Sequence, residues 1–284
     1  MNVRNKWWIA VCILLVLLIS CVYVFIPGEL EVSEIELVKC NAAGAARIIY
    51  PGASLRNWWP PAATYPVPGP VMNIFPLRGV DSSILQYRYR ISTSLNPLKR
   101  VMQYRETVRI GRDMMTVLSA LRGFLEKKEN IYGIDVQSGM SKDSTLMVTE
   151  LVTLSYPGTS ELYRAIGALR AYIASQGGKE TNYPMMRVIK GLDGKFNTML
   201  AVPTDRRLKG QGKFFPRLFV PWKILKGEVK GGAYTGEHAL AQLQQYVQDY
   251  QRTAMAMPFQ SLVTERDQEP DTSRWVTRVI QPVP

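Results

Sequence analysis

Residues 257–283 have the sequence "MPFQSLVTERDQEPDTSRWVTRVIQPV", which contains two short strand-like segments separated by a loop with a proline. In the first segment the side chains two residues apart share one face of a predicted strand. The two sets are Phe259, Ser261 and Val263 on one face and Gln260, Leu262 and Thr264 on the other. Gln260 is therefore a neutral amide on one face of a strand, and its role depends on what precedes the segment.

The segments before this stretch repeat the order strand, helix, strand, strand. The first copy consists of residues 145–154, 159–178, 183–191 and 196–203; the second consists of residues 227–236, residues 237–251 and the two segments quoted above. In each copy the third element opens with a proline, Pro184 or Pro258, and the fourth ends in Val-Pro. Two such repeats, about 145–203 and 227–284, predict one domain at 131–284 with its ligand cleft between them.

Residues 31–130 have a different pattern and predict a separate α+β domain. Antiparallel strands are predicted at residues 31–40, 71–75, 82–93 and 99–110, with short helical turns in 41–61 that end at Trp58 and Trp59, and a stiff loop at 65–70. In the third strand, Leu85, Tyr87, Tyr89 and Ile91 alternate with Gln86, Arg88 and Arg90, which indicates a sheet with one wet face. Residues 111–130 then change to helical spacing and predict one long closing helix.

The amino terminus predicts a membrane anchor. Residues 1–6 are a short basic tip, and residues 7–26 form an uncharged apolar run that Pro27 ends. About 20 helical residues span the roughly 30 Å core of a bilayer. Basic residues before the run and glutamates after it predict that 1–6 stay in the cytoplasm, 7–27 cross the bacterial inner membrane and the rest is exported. The alternative is a lipoprotein lipidated at Cys21, because residues 18–21 also fit a lipoprotein cleavage box.

Composition excludes several classes of function. A chain of 284 residues, 46% of them hydrophobic, is long enough for about two compact domains. Its net charge of +12 is spread along the sequence, without a basic run interleaved with aromatics, so we expect no nucleic-acid partner. Cys40 is the only cysteine outside the apolar run, so no internal disulfide is expected. His238 is the only histidine, which argues against a multi-histidine metal site or a Ser–His–Asp triad.

Residues 131–284 resemble the GyrI-like effector-binding domain, a duplicated small-molecule module found in drug-sensing transcription regulators. The resemblance rests on the repeat, on "GGAYTGEHAL" at 231–240, and on the order of Phe259, Pro270, Thr277, Val279, Pro282 and Val283. Residues 31–130 resemble a short, degenerate SRPBCC (polyketide cyclase or START-like) helix-grip domain. The whole chain resembles a bacterial family of membrane-anchored proteins that join these two domains, although no helix-turn-helix segment is present.

The GyrI-like resemblance implies a cleft with a buried glutamate in the third strand of the second repeat. That glutamate binds cationic ligands and, in a hydrolase branch, works with a tyrosine; the matching positions here are Gln260 and Leu262. An amide can form hydrogen bonds but has no charge and cannot act as a base. We therefore expect no catalytic residue, no cofactor or metal, and a neutral or polar organic ligand. The candidate ligand-binding residues are Gln260, Phe259, Leu262, Trp222, Tyr234, Trp275 and Met186, the last being the counterpart of Gln260 in the first repeat.

Three charged groups have simpler interpretations. Glu237 opens a predicted helix, where a negative charge interacts favourably with the helix dipole, and Glu265 and Asp267 are expected to be solvated in a loop.

The segment 206–230 is rich in basic residues and is either a solvated connection or a contact with anionic lipid head groups. The candidate lipid contacts are Arg206, Arg207, Lys209, Lys213 and Arg217.

The sequence leaves three functions open. The first is a membrane-anchored, exported, non-catalytic protein that binds a small molecule, as a sensor or scavenger does. The second is a hydrolase- or cyclase-type enzyme acting on a small organic molecule. The third is an envelope protein-interaction module without a ligand.

Overall fold

The computed structural model describes residues 3–50, 71–142, 145–220 and 222–284. The predicted turns near Trp58 and Trp59 and the predicted loop at 65–70 lie outside the described residues. The chain divides into two units, Met1–Glu126 and Lys127–Pro284. The predicted fold class is confirmed: an apolar amino-terminal helix, a small antiparallel sheet with a long helix, and a duplicated strand-helix-strand-strand arrangement.

In its described residues the first unit contains three helices and three antiparallel strands. Its elements are α1 (Val3–Phe25), β1 (Glu29–Val38), α2 (Ala42–Ile49), β2 (Val71–Pro76), β3 (Ser83–Ser92) and α3 (Pro97–Leu125). The strand order is β1-β3-β2. Leu85, Tyr87 and Tyr89 of the central strand are buried and their neighbours are more exposed, so the predicted alternation is confirmed.

The predicted strand at 99–110 is wrong, because those residues belong to α3. Asn96 caps this helix, and its Oδ1 accepts hydrogen bonds from the backbone N–H groups of Leu98 and Lys99. Pro97 occupies the first turn, where its missing N–H has no cost. Thr107, Ile110 and Met114 then follow at intervals of three and four on the buried side. The cap and this helical spacing outweigh the short polar-apolar alternation that suggested a strand.

Within α1, the part Trp7–Phe25 has a mean hydropathy of 2.9 and none of it is buried, so by length and composition it is suited to cross a membrane. The end of this helix is tied to the start of α3. The Tyr23 hydroxyl donates to the Leu95 carbonyl oxygen, and the buried Arg100 donates from Nε to the carbonyl oxygen of Ile26 at 2.9 Å. The Arg100 guanidinium also lies 4.7 Å from the centre of the Tyr23 ring.

The second unit contains an eight-stranded antiparallel sheet that curls into a half-barrel. Its elements are α4 (Lys128–Tyr132), β4 (Gln137–Met140), β5 (Thr145–Thr153), α5 (Thr159–Ser175), β6 (Met185–Lys190), β7 (Phe196–Pro203), β8 (Phe215–Leu218), β9 (Lys223–Lys230), α6 (Ala233–Asp249), β10 (Phe259–Leu262) and β11 (Val276–Val283), with a short 3-10 helix (Thr272–Arg274) before β11.

The strand order is β4-β9-β11-β10-β6-β7-β5-β8, which is symmetric about its centre. Each half contains one repeat, with β5, β6 and β7 equivalent to β9, β10 and β11. The repeats meet where β10 pairs with β6, and in that register Gln260 lies opposite Met186 and Ser261 opposite Met185. The predicted repeat counterparts are therefore direct neighbours across the seam.

Both long helices pack on the same face of this sheet. The core beneath α5 includes Leu162, Ile166, Met186, Leu200 and Leu262, the last contributed by the second repeat. Helix α6 contacts β9, β10 and β11. Because side chains alternate along a strand, Gln260 and Leu262 share the helix-covered face and Phe259 points to the other. The site described below lies on the helix-covered face at the seam.

Three local predictions differ from the structure. Residues 233–236 belong to α6 rather than to the preceding strand, because Gly231 has a φ of +136° and ends β9. Strand β10 ends at Leu262 and does not reach residue 266. The basic segment contains the strand β8, which pairs with β5, so it is not a continuous loop. Strand β4 was not predicted at all.

Candidate functional site

Gln260 lies at the seam between the repeats and is 1% exposed. Its Oε1 is buried and has no hydrogen-bond partner among the described residues. The amide packs against the first turn of α6, where Gly236 leaves room for it. A Cβ added at Gly236 would lie 2.4 Å from Gln260 Oε1 and 3.2 Å from Thr277 Cγ2. An alanine at this position would therefore force the end of the Gln260 side chain to move.

Tyr156, between β5 and α5, brings a second unpartnered polar atom to the same place. Its hydroxyl lies near the Gln260 amide but outside hydrogen-bond geometry, and the hydroxyl oxygen has no partner. Burial raises the pKa of Tyr156 to about 12; the negative charge of Glu237 acts in the same direction, and Gln260 and Arg266 act against it. The Tyr156 ring has aromatic neighbours 6.1 Å away at Phe196 and 6.2 Å away at Tyr234.

Arg266, shortly after β10, supplies the third unpartnered polar atom at this place. It is 3% exposed, and its Nε has no hydrogen-bond partner. Its Nη2 donates to Thr277 Oγ1 at 2.6 Å, and its guanidinium lies 5.0 Å from the centre of the Trp275 ring. Burial lowers the pKa of this guanidinium below its ordinary value. Within the described residues no carboxylate forms a salt bridge with it, so the site contains a buried cation without a counter-ion.

The segment that carries Arg266 is fixed to α5. Arg170 of that helix donates to Glu265 at 2.6 Å and to Glu180 at 2.8 Å, and these two carboxylates, Glu265 first, raise its pKa. The Tyr163 hydroxyl donates to the Thr264 carbonyl oxygen at 2.9 Å. Glu265, expected to be solvated, instead neutralises Arg170. The carboxylate next in sequence to Arg266 is thereby engaged elsewhere.

The seam brings together polar groups with unused hydrogen-bonding capacity and aromatic rings. It offers a phenol hydroxyl, an amide and a guanidinium, with aromatic rings beside Tyr156. Glu237 is half-buried near Tyr156, and burial raises the pKa of its carboxyl group. In the described part of the chain no cluster of three His, Cys, Asp or Glu side chains is arranged to hold a metal ion.

The seven candidate residues lie in different places. Met186 is the cross-strand neighbour of Gln260, and Leu262 is fully buried in the core beneath α5. Trp275 stacks on Arg266 and donates from Nε1 to the Glu269 carbonyl oxygen at 2.8 Å. Tyr234 is largely exposed beside Tyr156. These four surround Gln260 or its immediate neighbours.

Two of the candidates are elsewhere. Phe259 points away from Gln260 and meets the Phe219 ring at 5.8 Å on the opposite face of the sheet. That face has a pocket of about 200 Å³ whose lining includes Phe259, Met185, Arg187 and Arg217. Burial, and secondly the charge of Arg217, lower the pKa of Arg187. Trp222 precedes β9, where its carbonyl oxygen accepts from Ser141 N at 2.9 Å.

Sequence reasoning missed Tyr156 and Arg266. The sequence predicts a strand that reaches Arg266 but assigns this residue no role. Because β10 ends at Leu262, the alternation along that strand does not place Arg266 beside Gln260. Tyr156 had no local signal, because it follows β5 and reaches Gln260 only through the tertiary fold.

No protein-family model and no curated protein matches the chain. Similar solved structures include the EcmrR–DNA complex, with 18% identity, a TM-score of 0.48 and coverage of 67% of this chain and 72% of that chain. A second is SAV2435 bound to tetraphenylphosphonium, with 14% identity, a TM-score of 0.34 and coverage of 52% and 93%. A third is a hydrolase from Listeria innocua, with 10% identity, a TM-score of 0.40 and coverage of 52% and 91%. These values are too low to support a functional conclusion, and the topology of the second unit is consistent with a GyrI-like domain.

Proposed function

We propose that this chain is a membrane-anchored, exported protein that binds a small organic molecule between the two repeats of its second unit. One observation carries the proposal: three buried polar groups without hydrogen-bond partners, on Tyr156, Gln260 and Arg266, lie together at the seam. Leaving a buried donor or acceptor unsatisfied costs about 1–3 kcal/mol each. Such a cost is typical of a binding site, where the ligand satisfies the groups.

The surroundings of these groups support binding rather than a purely structural role. The fold fixes them from several directions, since α6 packs on Gln260 through Gly236 and Arg170 holds the segment before Arg266. Polar groups held in place before a ligand arrives lose less entropy on binding. The aromatic rings near Tyr156 add contact area for an organic molecule.

The proposal includes no catalytic step. Gln260 cannot accept a proton. Tyr156, with a pKa of about 12, remains protonated near neutral pH and is suited to donate a hydrogen bond rather than to act as a base. We also include no nucleic-acid partner, because the basic residues are spread along the chain.

Membrane attachment is supported by the composition of Trp7–Phe25 and by the distribution of charge around it. We propose a single pass through the bacterial inner membrane, with lipidation at Cys21 as the alternative, and contact of the basic segment with anionic lipid. Replacing Arg207, Lys209 and Lys213 by Gln should weaken co-sedimentation of the protein with phosphatidylglycerol vesicles, at about 1 kcal/mol per residue. Replacing Arg112, Lys127 and Lys179 is the charge-matched control, and equal losses in the two triple variants would argue against a specific lipid contact.

The binding site is tested by calorimetry of the full chain in detergent with three probes: naphthoate, naphthamide and naphthamidine. These molecules share one ring system and one trigonal head group, and they differ in charge. At least one should bind, and Tyr156→Phe should weaken that binding about 2- to 10-fold through loss of one hydrogen bond. Tyr172→Phe is the matched control, since its hydroxyl donates to the Lys209 carbonyl oxygen away from the seam. Absence of binding by all three probes, or equal effects of the two variants, would refute the proposal.

A further inference from the structure

We propose that the ligand of this site carries an anionic, carboxylate-like head group, which Arg266 binds. This inference rests on the proposed function and specifies the class of ligand. It departs from the neutral or polar ligand expected from Gln260 alone, because that expectation did not include Arg266.

Arg266 is the main observation. A guanidinium remains charged in proteins, so the free-energy cost of burying it cannot be relieved by loss of its proton. An isolated buried charge is costly unless it is paired and hydrogen-bonded. Among the described residues Arg266 donates to Thr277 Oγ1 and lies over the Trp275 ring, while its buried Nε has no acceptor. That Nε donor is therefore open to a partner outside the chain.

The contrast with Arg170 strengthens this argument. The Arg170 side chain is 34% exposed, yet it has two carboxylate partners, Glu180 and Glu265. The far more buried Arg266 has no carboxylate partner among the described residues. An arginine whose only role is structural would be expected to show the reverse, with the more buried cation better paired.

The acidic groups nearby leave room for one added negative charge. Glu265 is paired with Arg170, and Asp267 is exposed. Glu237 influences Tyr156 and is half-buried on the α6 side of the site. A head group with a single negative charge can pair with Arg266, whereas a second charge directed toward Glu237 would be repelled. A monocarboxylate fits this distribution.

Gln260 and Tyr156 complete the recognition. A glutamate at position 260 would put a carboxylate in the same buried cluster as Arg266, and the two side chains would neutralise each other. The amide leaves the guanidinium unpaired. The Tyr156 hydroxyl can donate a hydrogen bond to a carboxylate oxygen, and Arg266 can supply a bidentate pair. Gln260 Oε1 only accepts, so the amide must turn by half a rotation to present its Nε2 donor to the carboxylate.

The same three probes test the inference, again by calorimetry of the full chain. Naphthoate should bind about 10- to 100-fold more tightly than naphthamide, as expected for charge-assisted hydrogen bonds, and naphthamidine should bind most weakly. Arg266→Gln should reduce the ratio of naphthoate to naphthamide affinity to nearly one. Arg187→Gln removes a comparable cation from the pocket on the other face of the sheet and should leave the ratio unchanged.

Gln260→Glu provides a second readout that does not depend on the stability of an Arg266 variant. It should abolish naphthoate binding and raise the thermal unfolding midpoint, because the new carboxylate pairs with Arg266. Charge-independent binding, a ratio that survives Arg266→Gln, or retained naphthoate binding in Gln260→Glu would overturn the anion inference and leave the binding function intact. If none of the three probes binds the unmodified protein, the proposed function itself fails, and the inference fails with it.

Discussion

Replacing Gly236 by alanine tests the packing that defines the site. In an exposed helix interior, glycine-to-alanine substitution stabilises a protein by about 1 kcal/mol. At Gly236 the new Cβ would lie 2.4 Å from Gln260 Oε1 and 3.1 Å from its Cδ, and Gln260 is 1% exposed. Overpacking of a well-packed interior costs about 1–3 kcal/mol. We therefore expect a net loss of up to about 2 kcal/mol.

Gly167 is the matched control, because it is an exposed glycine within α5 and a Cβ there would have no atom within 4 Å. Gly167→Ala should stabilise the protein by about 0.5–1 kcal/mol. For a unit of this size, each kcal/mol corresponds to about 2–4 °C in the unfolding midpoint. Differential scanning calorimetry of the full chain should therefore place the Gly236→Ala midpoint several degrees below that of Gly167→Ala.

A double-mutant cycle with Gln260→Ser identifies the cause. Shortening the side chain at 260 removes the atoms that the new methyl group would meet, so Gly236→Ala should cost less in that background. Residues in contact show coupling energies of about 0.5–3 kcal/mol. If Gly236→Ala is as stable as Gly167→Ala, or if the cycle shows no coupling, the close contact between α6 and Gln260 is not as described.

Three further predictions concern single residues. Arg170→Met should lower the unfolding free energy by about 1–2 kcal/mol in urea titrations, because two carboxylates lose their partner. Arg164→Met on the same helix should have little effect, and equal losses in the two variants would show that the ion pairs contribute nothing. The Tyr156 phenolate, measured as the ultraviolet difference from Tyr156→Phe, should form near pH 12, and a midpoint near 10 would contradict the burial of this residue. The contribution of Tyr156 to stability should therefore be complete below about pH 10 and decline as the pH rises toward 12. Cys40 should react with a maleimide only after unfolding, in a variant with serine at positions 12 and 21, because burial raises the pKa of its thiol; rapid labelling of the folded protein would show that it is accessible.

Much of the fold follows from local patterns in the sequence. The repeat was visible because each element has its own periodicity and a turn signal at its boundary, as with Phe196–Pro203, whose bounds match the prediction. The strand predicted at 99–110 is wrong because a polar-rich helix surface can alternate over a few residues, and the capping signal at Asn96 and Pro97 lies before that segment. Strands β4 and β8 are only four residues long and depend on their partners rather than on their own sequence.

The site was predictable only in part. That Gln260 lines a ligand cleft stays a prediction; the structure places it buried at the seam between the repeats. Its neighbours Tyr156 and Arg266 come from other parts of the chain, and no local pattern predicts that the two will meet. That Arg266 has no counter-ion among the described residues is likewise a property of three-dimensional packing, since Glu265, three residues after the end of β10, pairs with Arg170 instead.

The pairing of Gln260 with Met186 has a consequence for how selective the site can be. In a symmetric dimer of a single repeat, the residue on the axis would face an identical copy of itself, and any group placed there would be present twice. Joining the repeats in one chain removes that restriction, so an amide can lie opposite a thioether on the axis. A centre of this kind can distinguish the two ends of an elongated molecule, which a symmetric dimer would bind equally well in either direction.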